Sequence, residues 1–129
     1  RKLCDSCKKQ IPLEAGSEIK KKIDAVVDGI VDPADMPPQR EFMYTAVGCT
    51  ACNGSGYKGR VGVYEAILMS GKDNAGNREV ETAIENMGSE HEIAKAAKVQ
   101  AIPNMAEEGV VKVLKGITSL EELERVIEL

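Results

Sequence analysis

Cys49-Thr50-Ala51-Cys52-Asn53-Gly54-Ser55-Gly56, read together with Cys4-Asp5-Ser6-Cys7 near the start, is the stretch that decides how this chain folds. A two-residue spacer lets a tight turn aim both sulfurs at one ion while backbone N–H groups of the turn donate to the thiolates. Two such turns complete a tetrahedral shell of four sulfurs, which suits zinc. The candidate metal ligands are therefore Cys4, Cys7, Cys49 and Cys52. Four thiolates leave such a site net negative, and Arg1, Lys2, Lys8, Lys9, Lys58 and Arg60 lie close in sequence to offset it. A filled sulfur shell leaves no coordination position for water or substrate, so the ion is expected to be structural, tying the N-terminus to a β unit across an intervening helix. Disulfides would need an oxidising compartment that nothing here indicates. A thioredoxin-type pair would leave the second CxxC unexplained; redox chemistry and an iron–sulfur centre stay as alternatives.

Outward from the cysteines, the composition is that of one ordinary domain: 129 residues, 43% hydrophobic and 29% charged. Aromatic residues make up only 3% and Trp is absent, so the core must come from Ile, Val, Leu, Met and Ala. A net charge of -4 argues against phosphate-backbone binding, and nucleic acid is not expected as a partner. No apolar run is long enough to span a membrane and no signal-peptide pattern opens the chain, so a cytoplasmic protein without direct membrane insertion is expected. The opening Arg1-Lys2-Leu3-Cys4 lacks Met and runs straight into a candidate ligand, as expected of a piece of a longer protein.

Between the cysteine pairs, Ile19, Ile23, Val26, Val27 and Ile30 recur at helical spacing behind Ser17, a good N-cap, and Asp32-Pro33 stops the helix. Met36-Pro37-Pro38 reads as a connector to about Gln39. From Phe42 to about Met69 the strand-favouring Phe42, Tyr44, Val47, Val61, Val63, Tyr64 and Ile67 predict a small β unit, and Gly71 to Asn77 reads as a loop. Four short helices follow. Val80, Ala83, Ile84 and Met87 share one face; Ser89 and Glu92 form a possible capping box before Ile93, Ala96 and Ala97; Ala106, Val110, Val113, Leu114 and Ile117 share another face, ending at Gly116; and Thr118-Ser119 opens a last helix with Leu120, Leu123, Val126 and Ile127 on one side. The expected fold class is α+β, mostly α: a small zinc-stapled β unit followed by a bundle of short helices. The expected organisation is a tetracysteine subdomain over 1–69, with one helix and the β unit, and a helical subdomain over 78–129.

Catalytic residues are not expected. Gly54, Gly56, Gly59 and Gly62 read as turn residues, and the one Gly-Lys pair, Gly71-Lys72, is followed by Asp73 and preceded five positions earlier by Ala66, so no phosphate loop is present. His91 reads as solvated, the dispersed methionines as filler, and the helical Glu and Lys as solvated faces.

The run from Tyr44 to Glu65, Tyr44-Thr45-Ala46-Val47-Gly48-Cys49-Thr50-Ala51-Cys52-Asn53-Gly54-Ser55-Gly56-Tyr57-Lys58-Gly59-Arg60-Val61-Gly62-Val63-Tyr64-Glu65, resembles the zinc-containing segment of the bacterial secretion ATPase superfamily, which includes the type II secretion (GspE-like) and type IV pilus assembly (PilB-like) ATPases. Glu107 to Val126 looks like that family's C-terminal helices, and Arg1-Lys2-Leu3-Cys4 matches the first cysteine pair. The resemblance spares the segment from Ile11 to Met43. Glu108 where family members often have Asp, Ile102-Pro103-Asn104-Met105 in place of a Gly-Met pattern, and an inserted-looking Gly71 to Asn77 loop leave the subfamily open. The resemblance implies a parent motor that hydrolyses ATP as a homo-hexamer, with its P-loop and Mg-binding acids upstream, and that drives pilus or pseudopilus assembly at the cytoplasmic face of the inner membrane through platform or adaptor proteins. This domain would be its C-terminal appendage, without ATP turnover of its own.

Arg60, between glycines, could reach a phosphate or carboxylate across a subunit boundary, pair with Glu65, or neutralise the thiolates; Glu65 reads as a structural partner, not a general base. Two other function classes compete. A DnaJ-type chaperone finger, a zinc-dependent interaction module, is suggested by Cys49-x-x-Cys52-x-Gly54-x-Gly56, but Cys7 is followed by Lys8-Lys9-Gln10-Ile11 instead of the repeat. A small thiol oxidoreductase would require a reactive thiol without metal removal.

Overall fold

A computed structural model of the protein describes residues 1–66, 77–100 and 102–129. Among these the chain order is β1 (Lys9–Pro12), α1 (Glu18–Asp28), β2 (Phe42–Thr45), α2 (Asn77–Glu85), α3 (Glu90–Ala97), α4 (Met105–Leu114) and α5 (Leu120–Val126), with single 3-10 turns at Pro33–Asp35, Thr50–Cys52 and Lys98–Gln100. The fold is α+β and mostly α, as the periodicities predict.

Helix α1 starts where Ser17 offers its hydroxyl to the Lys20 N–H, 3.2 Å away, a cap worth about 1 kcal/mol. Ile23, Val27 and the following Ile30 are buried, whereas Ile19 lies on the outer side, 42% exposed. Asp32 caps the 3-10 turn that Pro33 opens. The chain then enters β2, which pairs antiparallel with β1 in the register Lys9↔Thr45, Gln10↔Tyr44, Ile11↔Met43 and Pro12↔Phe42.

The β unit thus differs from the expected one. Its second strand is the Lys9–Pro12 segment, and Val61, Val63 and Tyr64 form no strand. In that segment the backbone polar groups are met by side chains of α4: Lys112 Nζ donates to the Gly62 carbonyl, and the Tyr64 N–H donates to Glu108 Oε2 at 2.6 Å. Val63 packs against the core without a ladder. Ile67, Met69 and the Gly71 to Gly76 part of the expected loop lie outside the described residues.

Helices α2 and α3 pack chiefly on each other. Ser89 caps α3 through the Glu92 N–H, but Met87 does not share the α2 face: the helix ends at Glu85, and Met87 turns left-handed (φ 54°) and is 92% exposed. Asn104 caps α4 through the Glu107 N–H at 2.8 Å, and Ser119 caps α5 through the Glu122 N–H at 3.2 Å. Gly116 joins these two helices at φ 75°, and a Cβ there would sit 2.6 Å from the Tyr44 ring. Val126 is 66% exposed, because α5 contributes only its Leu120 and Leu123 side to the interior.

One hydrophobic cluster joins Leu13, Ile23, Val27, Ile30 and Met43 to Val110, Val111, Val113, Leu114, Leu120 and Leu123. It draws on both of the ranges 1–69 and 78–129. Gln39 helps to close it, donating to the Phe42 and Leu114 carbonyls, both at 2.9 Å. The first residues are threaded between the cysteine loop and the α4–α5 turn. Leu3 is 1% exposed, its N–H donates to the Ile117 carbonyl at 2.9 Å, and it bridges to Tyr57.

Candidate metal centre

The first cysteine pair sits on the turn before β1, where the N–H groups of Cys7 and Lys8 both donate to the Cys4 carbonyl. The second sits on the 3-10 turn after β2, where Cys52 and Gly54 donate to the Cys49 carbonyl and Asn53 closes the turn in the left-handed region (φ 54°). Gly48 takes φ 114°, and a Cβ on it would lie 2.6 Å from the Gly54 carbonyl oxygen, so glycine is required there. The Cys4 N–H donates to the Gly56 carbonyl at 2.9 Å and sews the two turns together.

The four sulfurs all lie within 4.8 Å of one another. Cys4–Cys49, Cys7–Cys52 and Cys49–Cys52 are separated by 3.9, 3.8 and 3.7 Å. Sulfurs held about 2.3 Å from a central zinc form a tetrahedron with edges of about 3.8 Å, so the donor set fits one tetrahedral ion and is too wide for a disulfide. Amides point at the sulfurs as well: Gly48 donates to Cys7 Sγ at 3.3 Å, and Cys49 and Gly56 donate to Cys52 Sγ, both at 3.2 Å. Burial pushes the Cys7 thiol up to about 11, its three neighbouring sulfurs adding to the rise against the Gly48 amide. At Cys52 burial opposes ionisation, but the two amides and the neighbouring sulfurs outweigh it and bring the thiol down to about 6. Cys52 is thus drawn toward its thiolate form, and binding an ion would displace thiol protons that remain. Four sulfurs fill a tetrahedron, so the arrangement can hold an ion but offers no position on it for a reacting molecule.

The cations expected around the cluster are mostly engaged elsewhere. Lys2 and Lys8 pair with Asp5, and Lys8 also donates to the Gly116 carbonyl and lies over the Tyr44 ring. Arg1 lies 4.4 Å over Tyr57 and binds Glu122 through Nε and Nη2 at 3.1 and 2.7 Å. Lys58 and Arg60 are exposed, and Arg60 enters no ion pair among the described residues. Glu65 accepts from the Met105 N–H at the start of α4, at 3.4 Å, and forms no ion pair with Arg60. His91 is exposed on α3 and stands apart from the sulfurs.

A polar group that the sequence reading passed over is Glu122. It is 6% exposed, and the Arg1 guanidinium, against the opposing effect of burial, holds its carboxyl down to about 2. Beside it Tyr57 and Ser119 share a hydrogen bond at 2.7 Å. Only the position of Glu122 on the inner side of α5, next to Leu123, hinted at this, and an acid there is indistinguishable in sequence from a solvated one.

Comparison with known proteins agrees with this geometry. Residues 1–125 match the family described as type II/IV secretion system protein. Over 126 residues, 98% of the chain, it is 32% identical to a type IV pilus assembly ATPase PilB of Acinetobacter baylyi and 33% identical to a type II secretion system ATPase E of Vibrio cholerae, covering 19% and 21% of those proteins. It is 34% identical over 128 residues to a type IV pilus assembly ATPase PilB of Pseudomonas aeruginosa, covering 98% of the chain and 19% of that protein. The chain therefore spans about a fifth of the length of these relatives. With four clustered sulfurs and a family match that runs over residues 1–125, the chain belongs to the type II/IV secretion system proteins.

Proposed function

We propose that this is the zinc-stabilised C-terminal domain of a hexameric ATPase motor that drives type II secretion or type IV pilus assembly. Cys4, Cys7, Cys49 and Cys52 hold one structural zinc, and the ion fixes the N-terminal turn to the loop after β2. ATP and Mg bind in a preceding RecA-like domain, and this domain serves packing between neighbouring subunits of the homo-hexamer or contact with inner-membrane platform and adaptor proteins. The motor works in the cytoplasm, peripheral to the inner membrane through those partners, and Arg60 is the residue available for an intersubunit contact. The observation that carries the zinc assignment is the set of sulfur separations, 3.7 to 3.9 Å, on two turns 45 residues apart. The motor assignment rests on the relatives' stated roles.

Elemental analysis of purified protein tests the zinc: one zinc per chain is expected, with thiols that react only after chelation. Absence of zinc, or another metal in its place, overturns that part. The motor is tested by the coding sequence upstream of Arg1, which should contain GxxxxGK[ST], and by the domain alone, which should show no ATP turnover. Specific hydrolysis by the pure domain would overturn the assignment of catalysis elsewhere.

A further inference from the structure

The four sulfurs are not equivalent, and the difference assigns one of them a chemical role. Cys4 and Cys52 are buried, at 1% and 7% exposure, while Cys7 and Cys49 are half-buried. Amides reach both: Gly48 donates to the Cys7 sulfur, and the Cys49 side chain accepts from the Cys52 amide in a capping box. Cys49 lines a shallow open depression bounded by Val47, Gly48, Thr50, Asn53 and Gly54, and none of the other three cysteines reaches it. Val47, on the rim of the same depression, is 59% exposed. The nearest sulfur to Cys49 is that of Cys52, 3.7 Å away, which is secured by two amides.

We infer that Cys49 is an oxidation site through which hydrogen peroxide opens the metal centre; the inference rests on the zinc reading above. Reaction of a bound thiolate is governed by access to its sulfur, and of the four cysteines Cys49 is the one that lines this open depression. The Cys49 sulfur attacks one peroxide oxygen, the O–O bond breaks, hydroxide leaves, and a sulfenic acid is formed. The Cys52 thiolate then attacks that sulfur; the S–S bond forms, the S–O bond breaks, and a second hydroxide leaves. Two electrons pass from the two cysteines to one peroxide, and a bound ion would be left with Cys4 and Cys7 as its sulfur ligands. Structural zinc takes four ligands, so loss of two sulfurs would favour its release and leave the N-terminal turn tied to the loop after β2 by backbone hydrogen bonds alone.

The test is a time course of zinc-loaded protein with limiting hydrogen peroxide, with zinc release followed by a chromogenic chelator and sulfenic acid trapped by dimedone for peptide mass spectrometry. The first adduct is expected on Cys49, followed by a Cys49–Cys52 disulfide and by zinc release at the rate of disulfide formation. Thr50→Trp, at the rim of the depression, should slow the adduct several-fold with zinc stoichiometry unchanged. First reaction at Cys7, equal rates at all four cysteines, or an unchanged rate in Thr50→Trp overturns the inference while leaving the zinc in place. A chain that carries no metal instead overturns the zinc reading, and with it the release step, while maleimide labelling still reports whether Cys49 reacts first.

Discussion

Replacing Gly109 by Ala is expected to destabilise the domain, although the position lies in the middle of a helix where Ala normally improves stability. The intrinsic gain from Gly to Ala in a helix interior is about 1 kcal/mol. Against it stands the packing of α4 on α5. Gly109 is buried, and a Cβ there would clash with Leu123 Cδ1 and lie 3.1 Å from Cδ2, while Leu123 itself is 2% exposed and has nowhere open to swing. Forcing one extra carbon into so close a contact costs about 1–3 kcal/mol, so the net loss should be about 1 kcal/mol, and up to about 2 if Leu123 must leave its rotamer. Urea unfolding of zinc-loaded protein followed by helical circular dichroism measures this as a lower midpoint at unchanged slope. A companion variant makes the reasoning specific. Leu123→Ala alone should cost about 2–5 kcal/mol, but Gly109→Ala added to it meets no δ carbons and should recover stability through helix propensity. Should Gly109→Ala raise the midpoint in the native background, or should the two changes simply add, the close α4–α5 contact is not what demands glycine here.

Three other outcomes follow from the same structure. Gly48→Ala combines a φ of 114° with a Cβ placed 2.6 Å from the Gly54 oxygen, so the loop after β2 should distort; competition with a chelator should show weaker metal retention, and unchanged retention would refute the strain. Glu122, held at about 2, favours the folded state above the usual carboxylate pKa of about 4.3, and that contribution is lost as pH falls from about 4.3 through 2. Glu122→Gln should therefore lower stability at neutral pH and flatten the acid limb of a stability–pH curve, and an identical acid limb would show that another group dominates. Cys49→Ser should remove the metal, loosen the N-terminal turn and the β1–β2 pair, and leave much of the C-terminal helicity, as hydrogen exchange resolved by segment would report; unchanged zinc stoichiometry together with unchanged melting would refute the site.

The parts of the fold that were legible in the sequence are those whose signal is local. Ser17, Ser89 and Ser119 each precede a helix that they cap with their own hydroxyl, and the cysteine spacing alone brought four sulfurs to within 4.8 Å. Strands were harder, because a strand is defined by a partner. No apolar alternation marks Lys9-Gln10-Ile11-Pro12, whose side chains are mostly exposed, yet the neighbouring cysteine turn delivers this segment to the edge of β2. Conversely Val61 to Tyr64 has strand-forming side chains, but Glu108 and Lys112 reach its backbone first. Arg1 was read as a counter-charge for the thiolates because it is near Cys4 in sequence; its partner is Glu122, which sequence distance conceals. The same applies to Arg60 and Glu65, five residues apart in the chain: Glu65 accepts from the Met105 N–H, and Arg60 enters no ion pair among the described residues.

The threading of Leu3 between Tyr57 and Ile117 bears on the order in which the protein is made. Both cysteine pairs have left the ribosome once residues up to about 60 are exposed, whereas the carbonyl of Ile117 does not yet exist. At about 5–20 residues per second the delay between the two events is about 3–11 s. During that interval the nascent chain can capture its ion while Leu3, Ile23 and Val27 still lack the α4 and α5 surface that will bury them. A metal ion can thus be captured first, while closure of the interior waits until α4 and α5 have been made.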